Sequence, residues 1–287
     1  MPYATTRDNI RLYYEEVGSG TPLLFVHEFG GDHRSWEMQM RYFSRRYRCI
    51  AYSARGYTPS DVPNSPDAYS YKHFAGDVVE MLDHLKIAKA HIVGLSMGGY
   101  CALQVGLHHP GRALSLTLAG TGSGSELHRL EEFRKNNDAT AKQFETLGSK
   151  VVATTYGLGP GRVPFEIKDP RGYAEFSTQF GEHDSQGSAH TIRGFQGSRP
   201  SIFEFESDVR KIALPTLIVV GDEDDACIES SLYLKRCIAA SGLAMFPKTG
   251  HCVNLEEPAL FNQTLADFLS LVEAGRWLPR DPRSVRK

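Results

Sequence analysis

No stretch of this 287-residue chain reaches the roughly 18 consecutive apolar residues that cross a membrane as a helix. Charge of one sign is lacking too. The 32 Lys+Arg nearly balance 34 Asp+Glu, a net charge of −2, so the basic excess of a general polyanion binder is absent. Cysteine is sparse, with Cys49, Cys101, Cys227, Cys237 and Cys252. An odd number with no C-x-x-C pair indicates neither a disulfide framework nor a zinc site, and is expected of a reducing compartment. Residues Met1 to Gly20 carry Arg, Asp and two Glu and no apolar signal-peptide core, so a cytoplasmic location is expected. Sequence repeats are absent as well. What remains is a soluble globular composition, 41% hydrophobic and 23% charged. Its length allows two domains or one large α/β domain, with a core large enough to fold without a metal or disulfide.

Short, largely apolar runs punctuate the chain: Leu23 to Val26, Ala90 to Val93, Leu114 to Leu118 and Leu217 to Val220. Such runs suit strands buried on both faces of a parallel sheet. Cys49 to Tyr52 and Ala244 to Phe246 are weaker examples, and Arg11 to Val17, ended by Gly18-Ser19-Gly20, reads as part of an initial hairpin. Between them lie helical spacings, Phe74, Val78, Met81, Leu82 and Leu85 in one, and Leu232, Leu234 and Ile238 in another. A last helix opens at Pro258. Strands alternating with helices imply a mostly parallel sheet with helices on both faces.

The alternation stops between about Gly122 and Phe205, where charged helical patterns and many aromatics appear. This predicts a helical insertion between two strands of one sheet. The Gly/Ser run from Gly120 to Ser125 lacks the lysine of a phosphate loop and reads as a hinge. The tail from Arg276 to Lys287 is basic and reads as a frayed terminus.

The sharpest chemical signal is Gly94-Leu95-Ser96-Met97-Gly98-Gly99, placed between a predicted strand and a predicted helix. G-x-S-x-G in that context is a nucleophile elbow, in which glycines relieve clashes in a tight turn and the serine hydroxyl projects from the strand end. A serine hydroxyl needs a base. His251, in Thr249-Gly250-His251 just past the last predicted strand, is the candidate. A base needs an orienting carboxylate, and Gly221-Asp222-Glu223-Asp224-Asp225 offers four at another strand end. Cys252 beside His251 lacks an activating context and reads as a core filler.

These motifs resemble those of the α/β-hydrolase family over nearly the whole chain, most closely lidded esterases, cofactor-free perhydrolases and ring-cleavage hydrolases. The resemblance implies a mostly parallel eight-stranded α/β-hydrolase sheet. Its core would be residues 1–121 and 206–287, with a mainly helical lid at 122–205. It implies Asp224 as the triad acid, with Asp222 and Asp225 as alternatives. It also implies an oxyanion hole from the main-chain N–H groups of Met97 and Phe29, the latter in His27-Glu28-Phe29-Gly30-Gly31. No metal or organic cofactor is expected, and the expected partner is a small molecule, not nucleic acid or membrane.

Two positions depart from the family pattern. Glu28 stands where relatives usually carry Gly, and Ser53 where they carry an Asp that pairs with the arginine matching Arg55. One expectation is that Glu28 supplies the missing carboxylate to Arg55; the alternatives leave it facing solvent or the pocket, where it would disfavour anions. His27, Glu28 and Arg55 are thus candidates for substrate binding or support of the site. The function expected is ester or lactone hydrolysis through an acyl-enzyme. The alternatives are C–C bond hydrolysis, which needs a basic group such as Arg129, Arg134, Arg162, Arg171 or Arg193, and a small-molecule receptor on the same scaffold.

Overall fold

The structure, a computed structural model, describes residues 2–285. Met1 and residues 286–287, the extremes of the expected core segments and of the basic tail, lie outside the described residues. The strands are β1 (Tyr3–Thr5), β2 (Arg11–Val17), β3 (Pro22–Val26), β4 (Arg48–Tyr52), β5 (Ala90–Leu95), β6 (Ala113–Ala119), β7 (Thr216–Gly221) and β8 (Ser241–Phe246). They form one eight-stranded sheet in the order β1-β2-β4-β3-β5-β6-β7-β8. The β1–β2 hairpin is antiparallel and joins β4 antiparallel, while every pairing from β4 to β8 is parallel.

The apolar runs are continuous because both faces of these strands are covered. Side chains alternate faces along a strand. Leu23, Phe25, Cys49, Ala51, Val93, Leu95, Leu217 and Val219 enter one core. Their neighbours Leu24, Val26, Ile50, Tyr52, Ile92 and Ile218 enter the other. The helices α1 (Glu37–Phe43) and, at the chain's end, Pro258–Glu273 close the first face with Met40, Phe43, Phe261, Leu265 and Phe268. On the second face, α2 (Tyr71–His84) contributes Phe74, Val78, Met81 and Leu82, and α3 (Met97–His108) packs beside it. Each such fully buried Leu or Phe stabilises the fold by about 1.5–3 kcal/mol.

Between β6 and β7 the chain is helical: α4 (Leu130–Leu147), α5 (Ser149–Thr155), α6 (Val163–Lys168), α7 (Pro170–Gly181), α8 (Ser185–Thr191) and the short α9 (Glu206–Val209). The sheet then resumes with β7, α10 (Asp225–Cys237), β8, α11 (Val253–Glu256) and α12 (Pro258–Glu273). The Gly120–Ser125 segment takes positive φ at Gly120, Gly122 and Gly124, as its glycines allow. It is less free than a hinge, because Ser230 Oγ donates to the Thr121 carbonyl at 2.7 Å and Arg199 Nη2 to that of Ser123 at 2.6 Å.

The start of the tail is also not frayed. Trp277 packs edge-on against Phe268, its indole N–H donates to the Ala240 carbonyl, and the Arg280 N–H donates to that of Ala239. A basic count says nothing of one aromatic anchor, which is why composition alone misread this segment. Among the described residues no helix is long and apolar enough to cross a membrane.

Candidate active site

The carboxyl ends of parallel strands gather at one edge of the sheet, the usual place for ligands in α/β folds. Here that edge carries the loops after β3, β5, β7 and β8. Ser96 follows β5 directly, with φ 54° and ψ −108°, a region a non-glycine residue occupies only under local constraint. The constraint is visible on both sides. The Ser96 N–H donates to the Ala119 carbonyl at 2.8 Å, and its carbonyl accepts the Tyr100 N–H at 2.9 Å as α3 begins. A Cβ on Gly94 would lie 2.1 Å from the Gly98 carbonyl oxygen, and one on Gly98 would lie 2.0 Å from that of Val26. Glycine is therefore required at both, and the turn can close only with them. Between Ala90 and Gly106, Ser96 is the one residue that is not buried.

His251 comes from the loop after β8. Its Nδ1 lies 2.8 Å from Asp224 Oδ2 in the loop after β7. Burial works to lower the imidazole pKa, but the Asp224 charge and hydrogen bond outweigh it and leave His251 above the usual histidine value. The four acids of that loop separate by environment. Asp224 alone is buried. Asp222 accepts the Thr249 N–H, Glu223 meets Lys248, and Asp225 opens α10. The two loops fit because Gly221 has no Cβ, which would lie 2.1 Å from the Thr249 carbonyl oxygen.

Ser96, Asp224 and His251 line one cavity of about 510 Å³. No hydrogen bond joins Ser96 Oγ to the His251 ring among the described residues. Such bonds are often long in unliganded sites and tighten with substrate bound. Phe29 lines the same cavity, and neither the Phe29 nor the Met97 N–H donates a main-chain hydrogen bond among the described residues. Met97 is the first residue of α3, where helix N–H groups lack partners and favour negative charge.

A helical-segment turn, Gly159-Pro160-Gly161-Arg162, forms the facing wall. The His251 main-chain N–H donates to the Gly161 carbonyl at 2.6 Å. Phe133, Asn137, Tyr156 and Gln196 of the same segment also line the cavity.

A family model described as the alpha/beta hydrolase fold matches residues 21–159. The chain is 26% identical to 3-oxoadipate enol-lactonase 1 of Acinetobacter baylyi over 256 residues, covering 88% of this chain and 89% of that one. It is 28% identical to the AB hydrolase superfamily protein YisY of Bacillus subtilis, covering 93% and 98% of the two chains. The solved structure of the esterase EaEST from Exiguobacterium antarcticum superposes with a TM-score of 0.81 at 25% identity, over 93% and 98% of the two chains. The chain has the α/β-hydrolase fold. Its sheet order and the strand–Ser96–helix turn are those of an α/β-hydrolase.

Two of the sequence-predicted residues beside this α/β-hydrolase site are bound into its frame. His27 Nε2 accepts the Ala54 N–H at 2.9 Å, so Nδ1 carries the proton and donates to the Glu28 carbonyl at 2.7 Å. Burial pushes its pKa down to about 4, and the ring stays neutral as a tie between two loops. Arg55 is buried and makes a two-pronged bond to Asp77, at 2.8 and 2.6 Å, with Asp8 at 2.7 Å.

The expectation that Glu28 holds Arg55 is therefore wrong. Arg55 already has two carboxylates, and Glu28 turns the other way, 2.5 Å from Arg162 Nη2. Burial would raise the Glu28 pKa, yet the Arg162 charge and the Gly30 N–H bring it below the ordinary glutamate value. Arg162 appeared in the sequence only as one of five lid arginines. A contact across 134 positions leaves no periodic trace, though the Gly-Pro-Gly turn before it marked a tight corner.

Cys252 lies near Glu28, and Cys227 lies 4.0 Å from His251 Nδ1. Burial pushes both thiols well above the ordinary cysteine value, so neither is a ready thiolate.

Proposed function

We propose that this α/β-hydrolase is a serine hydrolase that cleaves a carboxylic ester or lactone of a small, largely apolar molecule. The observation that carries the reading is Ser96, held at positive φ in the wall of a cavity that is also lined by the paired His251 and Asp224. Ser96 Oγ attacks the carbonyl carbon while His251 Nε2 takes its proton. Asp224 fixes the imidazole with Nδ1 protonated and stabilises the imidazolium. The oxyanion accepts the Met97 and Phe29 N–H groups, each worth about 3 kcal/mol in the transition state. The tetrahedral intermediate collapses, the alcohol leaves with the proton from His251, and an acyl-enzyme remains. Water then gives its proton to His251 and attacks the acyl carbon, and collapse releases the acid as His251 returns that proton to Ser96 Oγ. No step uses a metal or organic cofactor.

Residues 122–205 act in this reading as a lid on the core formed by 1–121 and 206–287. Phe29, Phe133, Tyr156 and Ala226 supply apolar wall, which suits an uncharged acyl or alcohol group. The similarity to an enol-lactonase and to an esterase supports ester-type substrates. C–C hydrolysis would require a cation free to hold an acidic substrate; of the two arginines that line the cavity, Arg162 is neutralised by Glu28, and Arg129 lies 3.6 Å from Glu126. Five unpaired thiols fit the cytoplasm as the place of action.

A panel of short aryl esters and lactones beside a vinylogous diketone tests the substrate class. Turnover of the esters or lactones and none of the diketone is the expected result. Preferential diketone cleavage would make the chain a C–C hydrolase, and binding without turnover of any of them would make it a receptor.

A further inference from the structure

The turn Gly159–Arg162 touches both halves of the proposed machinery. Its Gly161 carbonyl takes the main-chain N–H of His251 at 2.6 Å. One residue on, the Arg162 guanidinium holds Glu28 at 2.5 Å, and both side chains are buried. The Glu28 carboxylate does a second thing. Its Oε2 accepts the Gly30 N–H at 3.1 Å, while the Glu28 carbonyl accepts that of Gly31 at 3.1 Å. Glu28 thus folds back over its own loop on both sides of Phe29. Gly30 makes room for this closure. A Cβ there would lie 3.2 Å from Glu28 Oε1, 3.4 Å from Arg162 Nη2 and 3.1 Å from Phe176.

The guanidinium is in turn held between aromatic faces, 5.5 Å from the Phe176 centroid and 5.9 Å from that of Tyr156. A buried carboxylate and a buried guanidinium each cost several kcal/mol in desolvation, which is recovered only in good paired geometry. The pair is therefore costly to separate, and its two halves belong to segments far apart in sequence.

We infer that the Glu28–Arg162 pair is a positioning device through which the inserted helices set the loop that offers the Phe29 N–H to the oxyanion. The inference rests on the serine-hydrolase reading and assigns neither residue to the reacting atoms. With Arg162 in place, the Glu28 carboxylate is fixed and the Gly30 N–H is tied, so the Phe29 N–H between them has one orientation. Without Arg162 the buried carboxylate loses its counter-charge and turns toward water, and the loop loses its brace. The hole is then misplaced while the apolar wall that binds the ground state is kept.

Steady-state kinetics with a short aryl ester tests this, using Arg162→Met, Arg162→Lys and Glu28→Gln. Two ligands accompany it. An alkyl boronic acid, whose serine adduct places an oxygen in the hole, reports transition-state binding. The amide of the same acyl group reports ground-state binding. Loss of a single oxyanion donor costs about 10²- to 10³-fold in kcat, and a displaced donor loses part of that. Arg162→Met is expected to lower kcat about 10- to 100-fold, to weaken the boronic acid by a similar factor, and to leave KM and amide affinity within about threefold.

Arg162→Lys restores the charge and is expected to recover most of the loss, with Glu28→Gln between wild type and Arg162→Met. Should Arg162→Met fail to fold, Glu28→Gln and the lysine variant decide by the same measurements. A kcat and boronic-acid affinity within twofold of wild type in the folded variants would overturn the inference. So would a loss confined to KM and amide affinity, which would make Arg162 a substrate contact. In either case wild-type ester turnover leaves the hydrolase reading standing. A wild type that neither turns over the ester nor binds the boronic acid removes both.

Discussion

The two walls of the cavity are built differently. On the sheet side, groups are placed by main chain: Ser96 by its bonds to Ala119 and Tyr100, and Phe29 and Met97 by the turns that follow β3 and β5. Glycine sits wherever two segments meet too closely for a Cβ, at Gly94, Gly98 and Gly221. On the helical side, side chains set the wall: Arg162 against Glu28, with Phe133, Asn137, Tyr156 and Gln196 along the cavity. Main-chain placement leaves little latitude, as electrostatic preorganisation requires. Side-chain walls can change shape and charge without disturbing the sheet, which is what substrate choice requires. In this account the sheet side carries the chemistry and the helical side the selection and the brace.

Substitutions on the sheet side should therefore act on kcat or on folding. Asp224→Asn keeps the size but not the charge, and the wrong imidazole tautomer follows. A loss of about 10⁴-fold in kcat with unchanged circular dichroism is expected from single-turnover kinetics. Gly98→Ala meets the Val26 carbonyl, and urea unfolding should show a loss of about 3 kcal/mol or more, or no soluble protein.

His251 must be neutral to act as a base, and Asp224 raises its pKa above 6.5. The kcat/KM of wild type should thus rise with pH, level off above that raised value, and be lost below it. A midpoint well under 6.5 would break the proposed pairing. On the helical side, apart from the Arg162 brace, the effects should be smaller and of another kind. Phe133→Ala should raise KM about tenfold for the bulkiest apolar acyl esters, with kcat and the smallest esters unaffected. A fall in kcat for all esters would erase the distinction between the walls.

The same division decides what could be read from sequence. β3, β5, β6 and β7 were legible because both faces are buried and the runs are largely apolar. The elbow was legible because its glycines answer a local steric demand. The insertion was legible as a helical interruption of the sheet, though not helix by helix. α1 was not seen, since seven residues give too few turns for a face to repeat. The Gly161 contact to His251 and the pairing of Glu28 with Arg162 join positions remote along the chain, where local pattern carries no signal. Arg55 was assigned the wrong partner for that reason, with Asp77 and Asp8 coming from α2 and from the β1–β2 turn.

The central claim is that Ser96 is an activated nucleophile. Incubating the folded protein with a fluorophosphonate and locating the adduct by peptide mass spectrometry tests it most directly. One phosphonyl group is expected on Ser96, formed at a rate that climbs with His251 deprotonation and absent from Ser96→Ala. A folded wild-type protein that takes up no phosphonyl group, or takes it up equally in Ser96→Ala, would contradict it.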